Sequence, residues 1–245
     1  SDVCSSDLCT FGQGSDPCLS EWQSRRTGVY TANGGVVAVV KKSSVAQGDP
    51  DLIIFGLPGA FKGYYKGYSK DVLADKRHFT WAILKAHTRN TAGTVTLRSA
   101  NPRDLPEINF RYFAEGDKAS GEDQKDMQAM VEGVEFVRKI IGKADSLSLF
   151  DGFHETWPGP SVKTRDQIAT FVRNEAWGHH ASGTAKIGAA GDPKAVLDSR
   201  FRVRGTSGLR VVDASVFPRI PGFFIVVPVY MVSEKATDVI LEDAK

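Results

Sequence analysis

Gly93–Phe113 reads GTVTLRSANPRDLPEINFRYF. Thr94–Leu97 is a β-branched run, and in Glu107–Phe113 the residues Ile108, Phe110 and Tyr112 alternate with polar neighbours. That period of two is the pattern of a half-buried strand. Upstream, Phe79–His87 (FTWAILKAH) is a second apolar run, and the spacing reads it as paired with Thr94–Leu97 across Asn90-Thr91-Ala92-Gly93. Val36–Val40 and Asp51–Leu57 add two short strands, the second closed by Pro58-Gly59. The Gly/Tyr-rich stretch after it, GAFKGYYKGYSKD, is too polar and aromatic for a core strand. These segments imply an antiparallel sheet.

Downstream the period changes to that of helices. Met127, Met130, Val131, Val134, Val137, Ile140 and Ile141 share one helical face, with Gly142 placed to close it. Thr164 and Gln167 form a capping box ahead of a stripe of Ile168, Phe171 and Val172. A last helix starts near Pro228 and runs through Val232, Ala236, Val239 and Ile240. A sheet followed by helices is an α+β arrangement.

Composition narrows the function classes. Charged residues make up 24% of 245 and the net charge is only +2, so the chain carries no electrostatic footprint for nucleic acid. No apolar run approaches the ~18 residues of a membrane span. The longest, Phe223–Val232, is interrupted by Pro228. Cys4, Cys9 and Cys18 are odd in number and far from any histidine, so no metal site is expected. Residues 1–20 lack both a core pattern and the features of a secretory signal, and read as a non-native or disordered leader. The absence of an initial Met agrees with a truncated reading frame. Localisation is left open, with the cytoplasm favoured.

The chemistry concentrates in Trp177–Gly188, WGHHASGTAKIG, followed by LRVVDAS at Leu209–Ser215 and helix text at Ser233–Ala236. A histidine followed by two residues and then Gly-Thr, with VVDAS downstream, resembles the C-terminal end of the glucose-methanol-choline (GMC) oxidoreductases. Gly93–Phe113 is similar to that family's strand, N-P-R-D turn and strand; Met130–Ile141 matches its next helix, and Gly28–Gly35 the start of its C-terminal half. The resemblance runs from about Glu21 to Asp243. It implies an antiparallel-sheet substrate domain with flanking helices over residues 21–185. Residues 186–245 would then be the C-terminal strand and helix of an incomplete FAD-binding α/β domain.

The resemblance further implies FAD as cofactor and a small-molecule alcohol as substrate, with His180 as the base and a hydride passing to flavin N5. Imidazole suits the task, since its ordinary pKa near 6.5 lets it accept a proton at neutral pH. From spacing alone, a backbone-bonded structural histidine would be the commoner reading of His180, and the matching frame reverses it. Adjacent side chains of an extended segment point to opposite faces, so His179 is expected to turn away or to support from behind. The family's second catalytic position, a His or Asn, falls on Phe224, and no His or Asn occurs from Phe217 to Met231. His180 is therefore expected to work without such a partner in this segment. Asp213, Ala214, Phe223, Phe224 and Ile225 match the family's flavin-contacting residues. The plainer reading of Asp213 is the cap of an ordinary turn.

No G-x-G-x-x-G follows a strand anywhere in the chain, so the pyrophosphate cradle belongs to an absent N-terminal FAD-binding half. The alternatives are a non-catalytic module or remnant lacking that half, and a hydrolase or lyase on a related scaffold. Trp81, Trp157 and Tyr64, Tyr65, Tyr68 read first as packing residues, and Lys62, Lys66, Lys70 as a solvated loop. Asp104, Glu107 and Asp123 are too scattered to form a carboxylate pair.

Overall fold

The computed structural model describes residues 9–10, 14–74, 77–89, 91–113, 121–147 and 154–245. Cys4, Asn90 and the side chain of Asp123 lie outside them. The chain divides into two units, Ser1–Lys41 with Ile53–Leu84, and Lys42–Leu52 with Lys85–Lys245. Ala185 and Ile187 pack with Leu197, Phe201, Val216 and Ala236.

In the first unit, helix α1 (Pro17–Arg25) begins inside the segment read as a leader. Its start is well specified. Pro17 opens it, and Asp16 accepts hydrogen bonds from the Cys18 and Leu19 amides at 3.0 and 3.3 Å. The Tyr30 hydroxyl donates to the other Asp16 oxygen at 2.5 Å, and a disulfide joins Cys9 to Cys18. A cap and a cross-link thus hold the described residues from Asp16 to Ser20.

Strands β1 (Val37–Lys41), β2 (Leu52–Pro58) and β3 (Phe79–Lys85) form one sheet in that order. Leu52 and Ile54 are fully buried on alternate positions of β2. Gly56 continues that face because nothing larger fits: a Cβ there would meet the Phe79 ring at 2.3 Å. The Gly/Tyr loop leads into a short helix α2 (Tyr68–Ala74), which the sequence pattern did not signal.

Here the expected strand pairing is corrected. The Gly59 amide bonds the His78 carbonyl and the Ala86 amide bonds the Asp51 carbonyl, so β3 runs antiparallel to β2. Strand β4 (Thr94–Thr96) pairs instead with β5 (Glu107–Asn109), with Val95 opposite Ile108. The N-P-R-D turn explains the preference. The Asp104 amide bonds the Asn101 carbonyl at 3.1 Å, and the Asn101 side chain donates to Asp104 at 2.9 Å, which folds the chain back on itself. Strand β5 also stops at Asn109. Ile108 and Phe110 are exposed rather than half-buried.

Helix α3 (Glu122–Ser146) buries Met127, Ala129, Val131 and Val134. It runs past Gly142, so glycine does not end it. Helix α4 (Arg165–Glu175) carries the expected capping box and buries Ile168 and Val172. Trp157 packs edge-on against Phe171 at 4.9 Å. Glu155 receives both Arg138 nitrogens, at 2.7 and 2.9 Å, tying this segment to α3. Replacing Thr164 by Ala removes the α4 cap and is expected to cost about 0.5–2 kcal/mol, read from urea denaturation.

Beyond α4 the expected C-terminal strand is absent among the described residues. Leu209–Ser215 makes one isolated bridge, Arg202 to Arg210, and then enters a 3-10 turn at Ala214–Val216. A β-branched run becomes a strand only when a ladder is available to pair with it. Helix α5 (Val226–Asp243) buries Ala236 and Val239, while Ile240 is exposed. Its C-terminal end is held by Arg200, which bonds the Val239 carbonyl at 3.2 Å and Asp243 at 2.6 Å.

Candidate functional site

His180 lies in an irregular segment between α4 and the Ala185–Gly188 stretch. Two backbone bonds anchor the residues just after it: Ala185 N–H to the Ser215 carbonyl at 3.1 Å, and Ile187 N–H to the Val216 carbonyl at 2.9 Å. The chain after Val216 then turns back, and Phe223 and Phe224 come alongside His180. The Phe224 ring stands edge-on to the imidazole with centroids 6.2 Å apart. The imidazole also shares a hydrogen bond with the Phe223 backbone, its N–H donating to the carbonyl. Residues separated by more than forty positions therefore meet at one histidine.

Electrostatically, His180 is held below its ordinary pKa of 6.5. Burial is the main cause, since a half-buried imidazolium loses hydration. The neighbouring positive charge of His179 adds to it, and the Phe223 carbonyl partly opposes both. The unprotonated form is thus favoured at neutral pH, as a base requires.

His179 stands beside His180. Its ring stands 4.8 Å from that of His180, nearly perpendicular, and stacks on Trp177 at 5.4 Å. Alternation to opposite faces is a property of regular strands, and Ala176–Gly183 is not one. Gly178 lets this loop pass close over Tyr112: a Cβ on it would lie 3.0 Å from the phenol oxygen. Tyr112 was read only as a strand residue. Its place under the loop had no sequence signal, because the contact joins segments far apart in the chain.

The flavin-side positions divide into two groups. Asp213 caps the 3-10 turn, accepting from the Ser215 amide at 2.8 Å and from the Ser215 hydroxyl, and Ala214 is the first residue of that turn. Phe223, Phe224 and Ile225 lead directly into α5, and Ile225 is its N-cap residue with no side-chain cap. Other candidates resolve as packing. Trp81 lies edge-on to Phe79, and Tyr64, Tyr65 and Phe61 gather edge-on around Tyr68. Asp104 is committed to its turn, and Glu107 faces Arg98 at the surface. Among the described residues one cluster has metal-like spacing, Cys9, Asp16 and Cys18, but its two sulfurs are bonded to each other. No helix among them is long and apolar enough to cross a membrane.

Known proteins resemble this chain in sequence and in fold. The oxygen-dependent choline dehydrogenase of Brucella ovis is 37% identical over 224 residues, covering 90% of this chain and 38% of that protein. The chain therefore spans about two-fifths of the length of such relatives. Among solved structures, a fungal aryl-alcohol oxidase matches over 80% of the chain and 28% of its own, at 27% identity and a TM-score of 0.52. Formate oxidase of Aspergillus oryzae matches over 97% of the chain and 43% of its own, at 21% identity and a TM-score of 0.67, a likeness of fold. The family model described as GMC oxidoreductase covers residues 89–233, which hold both His180 and Phe224. With its C-terminal pattern, its fold and its relatives in agreement, the chain belongs to the GMC oxidoreductases.

Proposed function

We propose that the chain is the C-terminal portion of an FAD-dependent oxidoreductase that converts an alcohol to a carbonyl, with His180 as the base for the hydroxyl proton. The observation that supports this most is the state of His180. Burial and the nearby His179 lower its pKa, with the Phe223 backbone only partly opposing them, so the unprotonated imidazole that can accept a proton is favoured at neutral pH. Phe224, at the family's second catalytic position, offers an apolar ring edge. On this reading residues 21–185 form the substrate-binding portion and 186–245 the end of the flavin domain.

The residues present fit the ring end of a flavin. The first-turn amides of α5 lack a side-chain cap and give that helix start a partial positive charge. Phe224, Val226, Val227 and Tyr230 expose an apolar surface there, which suits an aromatic ring and the half-protein that carries it. Because the Asp213 carboxylate is engaged by Ser215, this turn would meet the cofactor through backbone amides and the small Ala214 side chain. Bound FAD would supply the two-electron oxidising power that takes the carbinol hydrogen. His180 would accept the hydroxyl proton, and the loop around it would hold the imidazole at the reacting carbon.

The test is a chimera joining the N-terminal part of the Brucella ovis relative to this chain. Mixed anaerobically with an alcohol, starting with choline, it is expected to lose its oxidised-flavin absorbance. A chimera that retains flavin and is reduced by dithionite but by no alcohol would overturn the reading. The chain by itself lacks the glycine-rich cradle, so an FAD titration of it should show weak or no binding, while the chimera carries flavin through gel filtration.

A further inference from the structure

His180 has two ring neighbours, and they differ in kind. Phe224 stands 6.2 Å away on one side, and its ring brings no charge. His179 stands 4.8 Å away, its ring nearly perpendicular and itself stacked on Trp177. The Phe217–Met231 segment, where the family places a second polar partner, holds no His or Asn. The imidazole that the fold does bring to His180 comes from the preceding residue.

We propose that His179 is a positioning residue for His180, clamped by Trp177, and that it supplies the second imidazole which position 224 cannot. This rests on the reading of His180 as the base. Three features of the loop support it. Stacking on Trp177 fixes the His179 ring at the cost of few rotamers. Gly178, just before the two histidines, lets the backbone run close over Tyr112. With the rings 4.8 Å apart, a positive charge on His179 disfavours one on His180. The groups facing His180 from other elements do not replace this effect. Phe223 offers a carbonyl, which favours the charged form, and the Phe224 ring is apolar. Tyr112, below the loop, stays neutral through this range because burial raises its pKa above 10.0.

The test tracks the His180 ring signals by NMR against pH in this chain, assigned with His180→Ala, in the wild type and in His179→Phe and His179→Lys. Phenylalanine keeps the stack on Trp177 and removes the charge, whereas lysine makes the charge permanent. The midpoint of His180 is expected to rise in His179→Phe and to lie lower in His179→Lys than in His179→Phe. An identical midpoint in all three folded proteins would overturn the proposal. So would a wild-type midpoint at or above 6.5. Should either variant fail to fold, Trp177→Leu, which frees the His179 ring, is expected to broaden the separation of the two histidines and raise the His180 midpoint. The titration needs neither flavin nor alcohol, so its failure is distinct from failure of His180 as the base, which is read from flavin reduction.

Discussion

Replacing His180 by alanine in the flavin-bearing chimera is expected to slow flavin reduction by alcohol about 10²–10⁴-fold, the usual contribution of a positioned general base. The substitution removes an imidazole whose pKa is lowered chiefly by burial. Flavin content should be unchanged, because His180 is only partly buried and lies in an irregular segment outside the helices and strands. The same chimera with intact His180 should show a rate that rises with pH and levels off, with its midpoint below 6.5 because the folded state holds the imidazole below that value. Stopped-flow absorbance under anaerobic conditions reads both effects. A His180→Ala rate within a factor of a few of the wild type would remove His180 from the base role.

The second large effect concerns a charge cluster separate from the histidines. Lys85 is buried between Asp51 and Asp126, with Nζ 3.4 Å from one carboxylate and 3.6 Å from the other, and the two aspartate side chains are only 4% and 1% exposed. Asp51 also accepts from the Ser43 amide and hydroxyl, both at 2.7 Å, and Asp126 accepts from the Arg89 amide at 2.9 Å. Lys85→Met leaves two buried carboxylates without their shared cation, and should cost about 3–5 kcal/mol. That is a large share of a typical domain's stability of about 5–15 kcal/mol. Urea denaturation followed by circular dichroism measures it. Lys85→Met combined with Asp51→Asn and Asp126→Asn should recover part of the loss, since no buried charge of this cluster is then left uncompensated.

The cluster also has a pH signature. Burial would raise the Asp51 pKa, but the Ser43 hydrogen bonds and the Lys85 charge outweigh it and hold it below 3.8. A carboxylate with a lowered folded-state pKa stabilises the fold above its unfolded value and loses that contribution as the pH falls through the folded one. Acid unfolding should therefore steepen below pH 3.8 in the wild type, and Asp51→Asn should flatten that dependence.

Helix starts were the part of this fold most open to local reading. Thr164 and Gln167 state the α4 cap within four residues, and the α3 stripe repeats at the helical period over several turns. Strand partners were less legible. Phe79–Lys85 and Thr94–Thr96 are neighbours in sequence, yet each pairs elsewhere, because the N-P-R-D turn closes β4 on β5 and the Asp51–Ala86 bond aligns β3 with β2. The buried Lys85 was not legible either. Its partners lie on separate segments, and a lysine after an apolar run looks like the exposed end of a strand.

For the site, the order of residues around Trp177–Gly188 and Leu209–Ser215 was enough to indicate the family, since those patterns are local, and His180 and Phe224 became candidates through that resemblance rather than through spacing alone. What surrounds the imidazole was decided only by the tertiary structure. The Phe223 carbonyl, the Phe224 ring and the stack of Trp177 on His179 reach His180 because the backbone between Ala176 and Gly183 is irregular and the turn before α5 folds back beside it. An alternation rule holds for a strand with a paired backbone. Where that pairing is missing, only packing over Tyr112 and the anchors at Ser215 and Val216 fix which way two neighbouring histidines point.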